Sequence, residues 1–302
     1  MRASVFAWAA AAIAAPACGF NPSGAAVDAT TSTPHDSGGT APHDAPVTTH
    51  DAPEKHDSAA PPQPDAPSGP PCYAKVSSSD VKLCLEFDDP GLSGANAISK
   101  DGSPGHHDAT ISTVSLEERN VPAGSNSQAI AINTATVTVA DTGDLTPTGN
   151  FTLLAWVNMS APPSTNTYTV VEKSDEYLMG IGQNTDQPPG EIDCDVQGAT
   201  TVFGPLLASN TWTLVACTWD GTNLCVSAAT QGQPPSPSCA SAPAGFSLPG
   251  DGGTSLYIGS RLAGGETPYD YLDGALDEVR IYSEKLSTSQ ICTEGGLTSS
   301  CD

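Results

Sequence analysis

An all-β, two-sheet antiparallel sandwich is the fold this sequence predicts, on three observations. From residue 72 onward the chain carries many short runs rich in Val, Ile, Thr and aromatic residues at fairly even spacing. Gly- and Pro-rich segments separate the runs. Helical periodicity is nearly absent. Short strands broken by turn residues, with no helices alternating between them, bury their apolar faces as two packed sheets.

The first 71 residues do not belong to that sandwich. Residues 1–17 read as a secretion signal: Arg2 supplies positive charge, Val5 to Ala15 is a short apolar run, and Ala15-Pro16-Ala17 is a small-residue cleavage site. Cys18 follows directly, and the arrangement resembles a bacterial lipoprotein signal, in which that Cys becomes the acylated N-terminus. The chain has 9 Cys, so lipidation of Cys18 leaves an even set for disulfides. An ordinary signal cut at the same bond is the alternative. No later apolar run is long enough to span a membrane, so lipid would be the only attachment.

Residues 18–71 form a linker of Pro, Ala, Asp, Ser, Thr and Gly that lacks the apolar surface to offset its ordering entropy. His-Asp recurs at His35-Asp36, His43-Asp44, His50-Asp51 and His56-Asp57. These are metal-capable types, but a Pro-stiffened acidic spacer accounts for them more simply. With 34 Asp plus Glu against 10 Lys plus Arg, nucleic acid is excluded as the partner. Net charge says little more about function.

Within residues 72–302 the elements follow in order. Leu83, Leu85 and Phe87 alternate with Cys84, Glu86 and Asp88 in a first strand ended by Pro90. The segment 101–113 reads as a loop, and Gln128 to Val139 as one strand. In Asn150 to Val157, Phe151, Leu153, Ala155 and Val157 share a face with Trp156 opposite, because strand side chains alternate. Val170 to Lys173, Tyr177 to Ile181 and Glu191 to Val196 are further short strands. Thr211 to Ala228 is a hairpin about the turn signal Asp220-Gly221. Trp156, Trp212 and Trp219 read as core. Leu256 to Ile258 is stopped by Gly259. Leu276 to Tyr282 is the last strand, with Asp277, Val279 and Ile281 on one face. Ser287 and Gln290 then form a capping box that opens one helical turn.

Five of these stretches occur in the order found in laminin-G-like (concanavalin A-like) jelly-roll domains, which the chain resembles over roughly residues 80–291. They are the first strand with its 101–113 loop, Phe151 to Val157, Thr211 to Ala228, Leu256 to Gly259, and Leu276 to Ile291. Ala228-Ala229 departs from the Asp-Gly usual at that hairpin end. The resemblance implies a jelly-roll sandwich with one structural Ca²⁺ between the first and last strands, which Asp88 or Asp89 would ligate with Asp277. The alternative for an inward Asp277 is acceptance of backbone N–H bonds from a turn.

An oxidising compartment makes disulfides expected. Cys194 and Cys217 suit a core-side bridge if their strands are neighbours, and Cys225 suits Cys239 on the solvent side. Cys72 with Cys84 and Cys292 with Cys301 follow by proximity. Connectivity stays open at this point, since eight Cys allow about 105 pairings.

Three constellations bear on function. Glu191, Asp193 and Asp195 lie on one strand face and resemble the E-x-D-x-E strand of retaining β-glucanases, with Glu191 as nucleophile and Asp195, one methylene shorter than the usual Glu, as acid. Asp88, Asp89 and Asp277 are the implied calcium set. Tyr269 and Tyr271 sit beside acids in a Gly-rich loop, where a ring can stack on a sugar face. No Ser/His/Asp triad, zinc spacing or phosphate loop appears. The reading is a secreted, surface-anchored, monomeric and non-catalytic binding or adhesion module that recognises carbohydrate or an extracellular protein. A β-glucan hydrolase using Glu191 is the alternative.

Overall fold

The computed structural model describes residue 72 and residues 76–121, 127–182, 187–250, 252–262 and 267–297. The signal, Cys18, the linker, Cys301 and part of the tyrosine loop (263–266) lie outside the described residues.

The strands run in chain order as β1 (Val81–Leu85), β2 (Ala95–Ser99), β3 (Ala109–Thr113), β4 (Leu116–Arg119), β5 (Ser127–Ala131), β6 (Val137–Val139), β7 (Phe151–Met159) and β8 (Tyr168–Lys173). They continue as β9 (Tyr177–Gly182), β10 (Glu191–Val196), β11 (Thr200–Leu206), β12 (Thr213–Trp219), β13 (Asn223–Ala229), β14 (Ser238–Ser241), β15 (Leu256–Ile258) and β16 (Gly274–Tyr282). One helix, α1 (Thr288–Glu294), follows. The strands build two eight-stranded sheets. The first runs β14-β13-β12-β7-β16-β5-β4, with β1 also paired to β16; the second runs β11-β10-β9-β8-β15-β6-β3-β2. The strand pairings are antiparallel, so this is the two-sheet jelly-roll sandwich the sequence predicts.

Alternation decides what fills the space between the sheets. Phe151, Leu153, Ala155 and Val157 of β7 face Met179, Ile181, Ile192 and Val196 of the second sheet in the main core. Burying a side chain of this size stabilises by about 1.5–3 kcal/mol. The opposite face of β7 carries Leu154 and Trp156 into a second cluster with Tyr282, Leu286 and Ile291, beneath α1. Trp156 Nε1 donates to the Gly295 carbonyl at 3.2 Å. The capping box is present: Ser287 Oγ accepts from Gln290 N, and Gln290 Oε1 accepts from Ser287 N at 2.9 Å.

Three disulfides join the expected partners, Cys72–Cys84, Cys194–Cys217 and Cys225–Cys239. Cys292 is disulfide-bonded as well. β10 and β12 lie in different sheets rather than side by side, so Cys194–Cys217 crosses the core and ties one sheet to the other. Cys225 and Cys239 face each other across β13 and β14.

The structure corrects four details. Residues 128–139 are two strands in different sheets, because Asn133 at φ 40° turns the chain between β5 and β6. The first strand ends at Leu85, before Phe87 at φ 53°, and not at Pro90. The 101–113 segment ends in a strand, β3. In β16 the register shifts between Asp277 and Arg280, and Glu278 takes φ 47°. A bulge adds one residue and reverses the alternation. Val279 and Ile281 therefore face the main core, whereas Asp277 pairs with Trp156 on the α1 side.

Candidate functional site

The candidate site is built on the outward face of the second sheet. In β10, Ile192, Cys194 and Val196 enter the core, which turns Glu191, Asp193 and Asp195 outward. Antiparallel register carries this face across the sheet. Asp193 stands opposite Gly180 on β9 and Phe203 on β11; Asp195 stands opposite Leu178, which stands opposite Glu172 on β8. Tyr257 on β15 is next to Glu172. Paired residues share a face.

Gly180 is small for a reason. A Cβ there would lie 3.1 Å from Thr167 Cγ2, 3.2 Å from Asp193 Oδ1 and 3.2 Å from the Tyr168 carbonyl. Thr167 and the start of β8 thus crowd this row, and Asp193 is only 5% exposed. Asp193 Oδ1 and the neighbouring Thr169 Oγ1 are buried with no hydrogen-bond partner.

Two clefts flank the acids. One, of about 440 Å³, is lined by Glu172, Asp175, Glu176, Leu178, Asp195 and Arg261, among others. The second, of about 390 Å³, lies between residues 164–168 and 268–271 and includes Tyr168, Tyr269, Asp270 and Tyr271. Arg261 stands between them. Its Nη2 lies 3.0 Å from Glu172 Oε1, its Nη1 3.8 Å from Asp270 Oδ2, and its guanidinium 5.5 Å from the centroid of the Tyr269 ring. The other oxygen of Glu172, Oε2, has no partner although Glu172 is 4% exposed.

Burial sets the electrostatics. It raises the carboxyl of Asp193 from 3.8 to about 6, with Asp195 and Glu191 adding repulsion and a Gln187 hydrogen bond opposing it. Burial also raises Asp195, which accepts from Thr201 Oγ1 at 3.1 Å. Glu172 and Asp270 are raised by burial too, and Arg261 pulls both back.

The expected tyrosines separate into two roles. Tyr269 is 39% exposed and presents its ring beside Arg261. Tyr271 packs against the main core and holds the loop to the sandwich. Glu172 and Arg261 were not singled out from the sequence. A signal existed for Arg261, since a chain with only 10 basic residues has few to place. Glu172 was readable as the outward residue after Val171.

Of the expected calcium set, Asp88 and Asp277 meet at the Ser127 hydroxyl, whereas Asp89 lies apart from them. Asp277 is fully buried, but its Oδ2 receives Arg119 Nε at 2.5 Å and Ser127 Oγ at 2.8 Å, and its Oδ1 receives the Glu278 N–H at 2.7 Å. Arg119 also binds Glu278 and lies over the Trp156 ring at 5.1 Å. Asp88 accepts from Ser127 and from the Gln128 N–H, whereas Asp89 turns to Ser99 and Lys100 of the other sheet. A guanidinium against the central carboxylate does not suit a cation. Among the described residues, the one group of three His, Cys, Asp or Glu ligand atoms close enough for a metal is Cys72, Cys84 and Glu86, whose cysteines are bridged.

Comparison with known proteins bears on the fold. The family model described as the concanavalin A-like lectin/glucanases superfamily matches residues 132–292. Domain 4 of AbnA, a GH43 extracellular arabinanase from Geobacillus stearothermophilus solved in complex with arabinotriose, is similar over 72% of this chain and 98% of that one, at 17% identity and a TM-score of 0.51. The binding domain of Paraclostridial Mosquitocidal Protein 1 is similar over 71% of this chain and 51% of its own length, at 13% identity and a TM-score of 0.51. A Trypanosoma rangeli sialidase is similar over 77% of this chain and 34% of its own, at 17% identity and a TM-score of 0.50. The chain thus spans about half of that binding domain and a third of the sialidase. No curated protein matches the chain.

Proposed function

The chain belongs to the concanavalin A-like lectin/glucanase superfamily, and from that premise we propose that its sandwich is an extracellular, non-catalytic saccharide-binding module. Its site is the outward face of the second sheet at Arg261. The observation that carries this reading is the placement of Arg261, which lines the larger cleft, between the exposed Tyr269 ring of the second cleft and the Glu172 carboxylate. An exposed aromatic face beside fixed donors and acceptors is what a sugar ring requires: apolar C–H groups stack and hydroxyls hydrogen-bond. The similar arabinanase domain was solved with a bound oligosaccharide, which supports a sugar over a protein ligand.

The catalytic alternative takes Glu191 as nucleophile and Asp195, whose carboxyl burial raises, as the acid. The short side chain of Asp195 argues against it, because a proton donor retracted by one methylene reaches its substrate poorly. The test is a glycan panel on the full-length protein, each glycan checked for cleavage afterwards. Intact retained glycan supports the module. Cleaved β-glucan, lost in Glu191→Gln, overturns it.

We propose further that residues 1–17 are removed, that Cys18 carries lipid and that residues 18–71 hold a monomeric domain away from the envelope. The disulfides agree with an oxidising compartment. Detergent-phase partition of the protein, lost in Cys18→Ala, tests the anchor.

A further inference from the structure

One buried carboxylate oxygen at the site has no partner. Glu172 Oε2 lacks a hydrogen bond, on a side chain 4% exposed whose other oxygen pairs with Arg261. A buried acceptor left unsatisfied is costly, and more so when it is charged. Glu172 lines the larger cleft. The second observation is the local charge. Glu172, Asp175, Glu176 and Asp195 line that cleft and Asp270 lines the other. Glu191 and Asp193 stand on the same face.

The cations do not balance this. Lys173 is committed to Glu176 and Asp141. Arg261 is shared between Glu172 and Asp270. The acids therefore exceed the bases, and they face a ligand-sized space with low-dielectric walls, which focuses the field.

We infer that the site prefers basic saccharides, that is, oligosaccharides of deacetylated amino sugars, over neutral ones and excludes uronic acids. An ammonium group supplies three donors and a positive charge to a cleft whose acids exceed its bases, whereas a hydroxyl supplies one donor and no charge. An N-acetyl group removes the charge and adds bulk. A sugar carboxylate would meet like charges. The inference rests on the saccharide-binding reading and adds a ligand class to it.

The test uses the full-length protein slightly below neutral pH. The probes are β-1,4-linked glucosamine oligosaccharides, their N-acetylated counterparts, cello-oligosaccharides and oligogalacturonates of equal length, titrated at low and moderate salt. The glucosamine oligomer is expected to bind at least about ten-fold tighter than the N-acetylated and neutral ones. That preference should shrink as salt rises, because charge carries it. Glu172→Gln and, as the more exposed and more safely folded variant, Asp195→Asn should each collapse the ratio. Equal binding of basic and neutral oligomers, or tighter binding of galacturonate, overturns the preference but leaves the binding module standing. Preference retained in both variants assigns the attraction to the chain's overall negative charge and overturns the inference. Binding of none of the probes overturns both readings.

Discussion

Arg119 Nε donates to Asp277 Oδ2 at 2.5 Å, and neither side chain is exposed to solvent. The two residues lie 158 positions apart. Their contact joins edge strand β4 to central strand β16, on the face that α1 covers. Arg280 and Glu294 extend the same layer. Such a layer is stable as a set and intolerant of partial loss, since an orphaned charge keeps its full desolvation cost. Arg119→Met is expected to lower unfolding free energy by about 3–5 kcal/mol. Urea denaturation measures it, and a loss below about 1 kcal/mol, the range of an exposed pair, would contradict the account.

The same contact bears on metal dependence. The guanidinium faces the Asp277 oxygen that a calcium ion would need, and Asp89 serves the other sheet. Melting temperature is expected to be the same in excess calcium and in EDTA. A calcium-dependent rise of several degrees would show a cation site that these partners do not describe.

How far the fold was readable depended on whether a signal was local. The hairpin at Asp220-Gly221 was legible because Asp220 Oδ1 accepts the N–H groups of Thr222 and Asn223 within the turn itself. The Ser287–Gln290 box was legible for the same reason. The strand faces of β7 and β10 followed from period-two alternation alone. The bulge in β16 did not, because Glu278 takes a left-handed backbone that no Gly or Asn advertises. Strand β11 was missed because Gly204 and Pro205 interrupt its pattern. At the site, Tyr269 and the β10 acids were visible as residues. The pairing of Glu172 with Arg261 was not, since it depends on β15 lying beside β8 in the sheet.

The Cys225–Cys239 and Cys194–Cys217 bridges differ in access. Cys239 is exposed and Cys225 is 7% exposed, whereas Cys194 and Cys217 are fully buried between the sheets. Thiol–disulfide exchange requires the attacking thiolate to reach a sulfur. Mild reductant under native conditions should therefore open Cys225–Cys239 well before Cys194–Cys217, as read by alkylation and peptide mass mapping. Replacing Cys194 and Cys217 together by Ala should cost about 2–4 kcal/mol. Simultaneous reduction of both bridges in the folded protein would refute the burial argument.

Tyr269 offers a clean separation of binding from folding. Its ring is 39% exposed and its main contact is with Arg261. Tyr269→Ala should change unfolding free energy by less than about 1 kcal/mol. It should weaken saccharide binding at least about ten-fold, the scale of losing one stacking face. Unchanged affinity would move the ligand off this loop.

Asp193 makes stability depend on pH in a direction that can be worked out. Burial raises its carboxyl from 3.8 to about 6 in the folded protein, so between these values the folded state binds the proton more tightly than the unfolded chain does. The stability it contributes is fully present below 3.8 and is lost as pH rises through about 6. Above that, the ionised side chain penalises the fold. Asp193→Asn keeps the shape and the Gln187 hydrogen bond without the charge. It should be more stable than the parent by about 2–3 kcal/mol at pH about 8, and the gap should close toward pH about 4. Urea midpoints across that range measure it, and a pH-independent difference would show that the carboxyl is not held in a desolvated state.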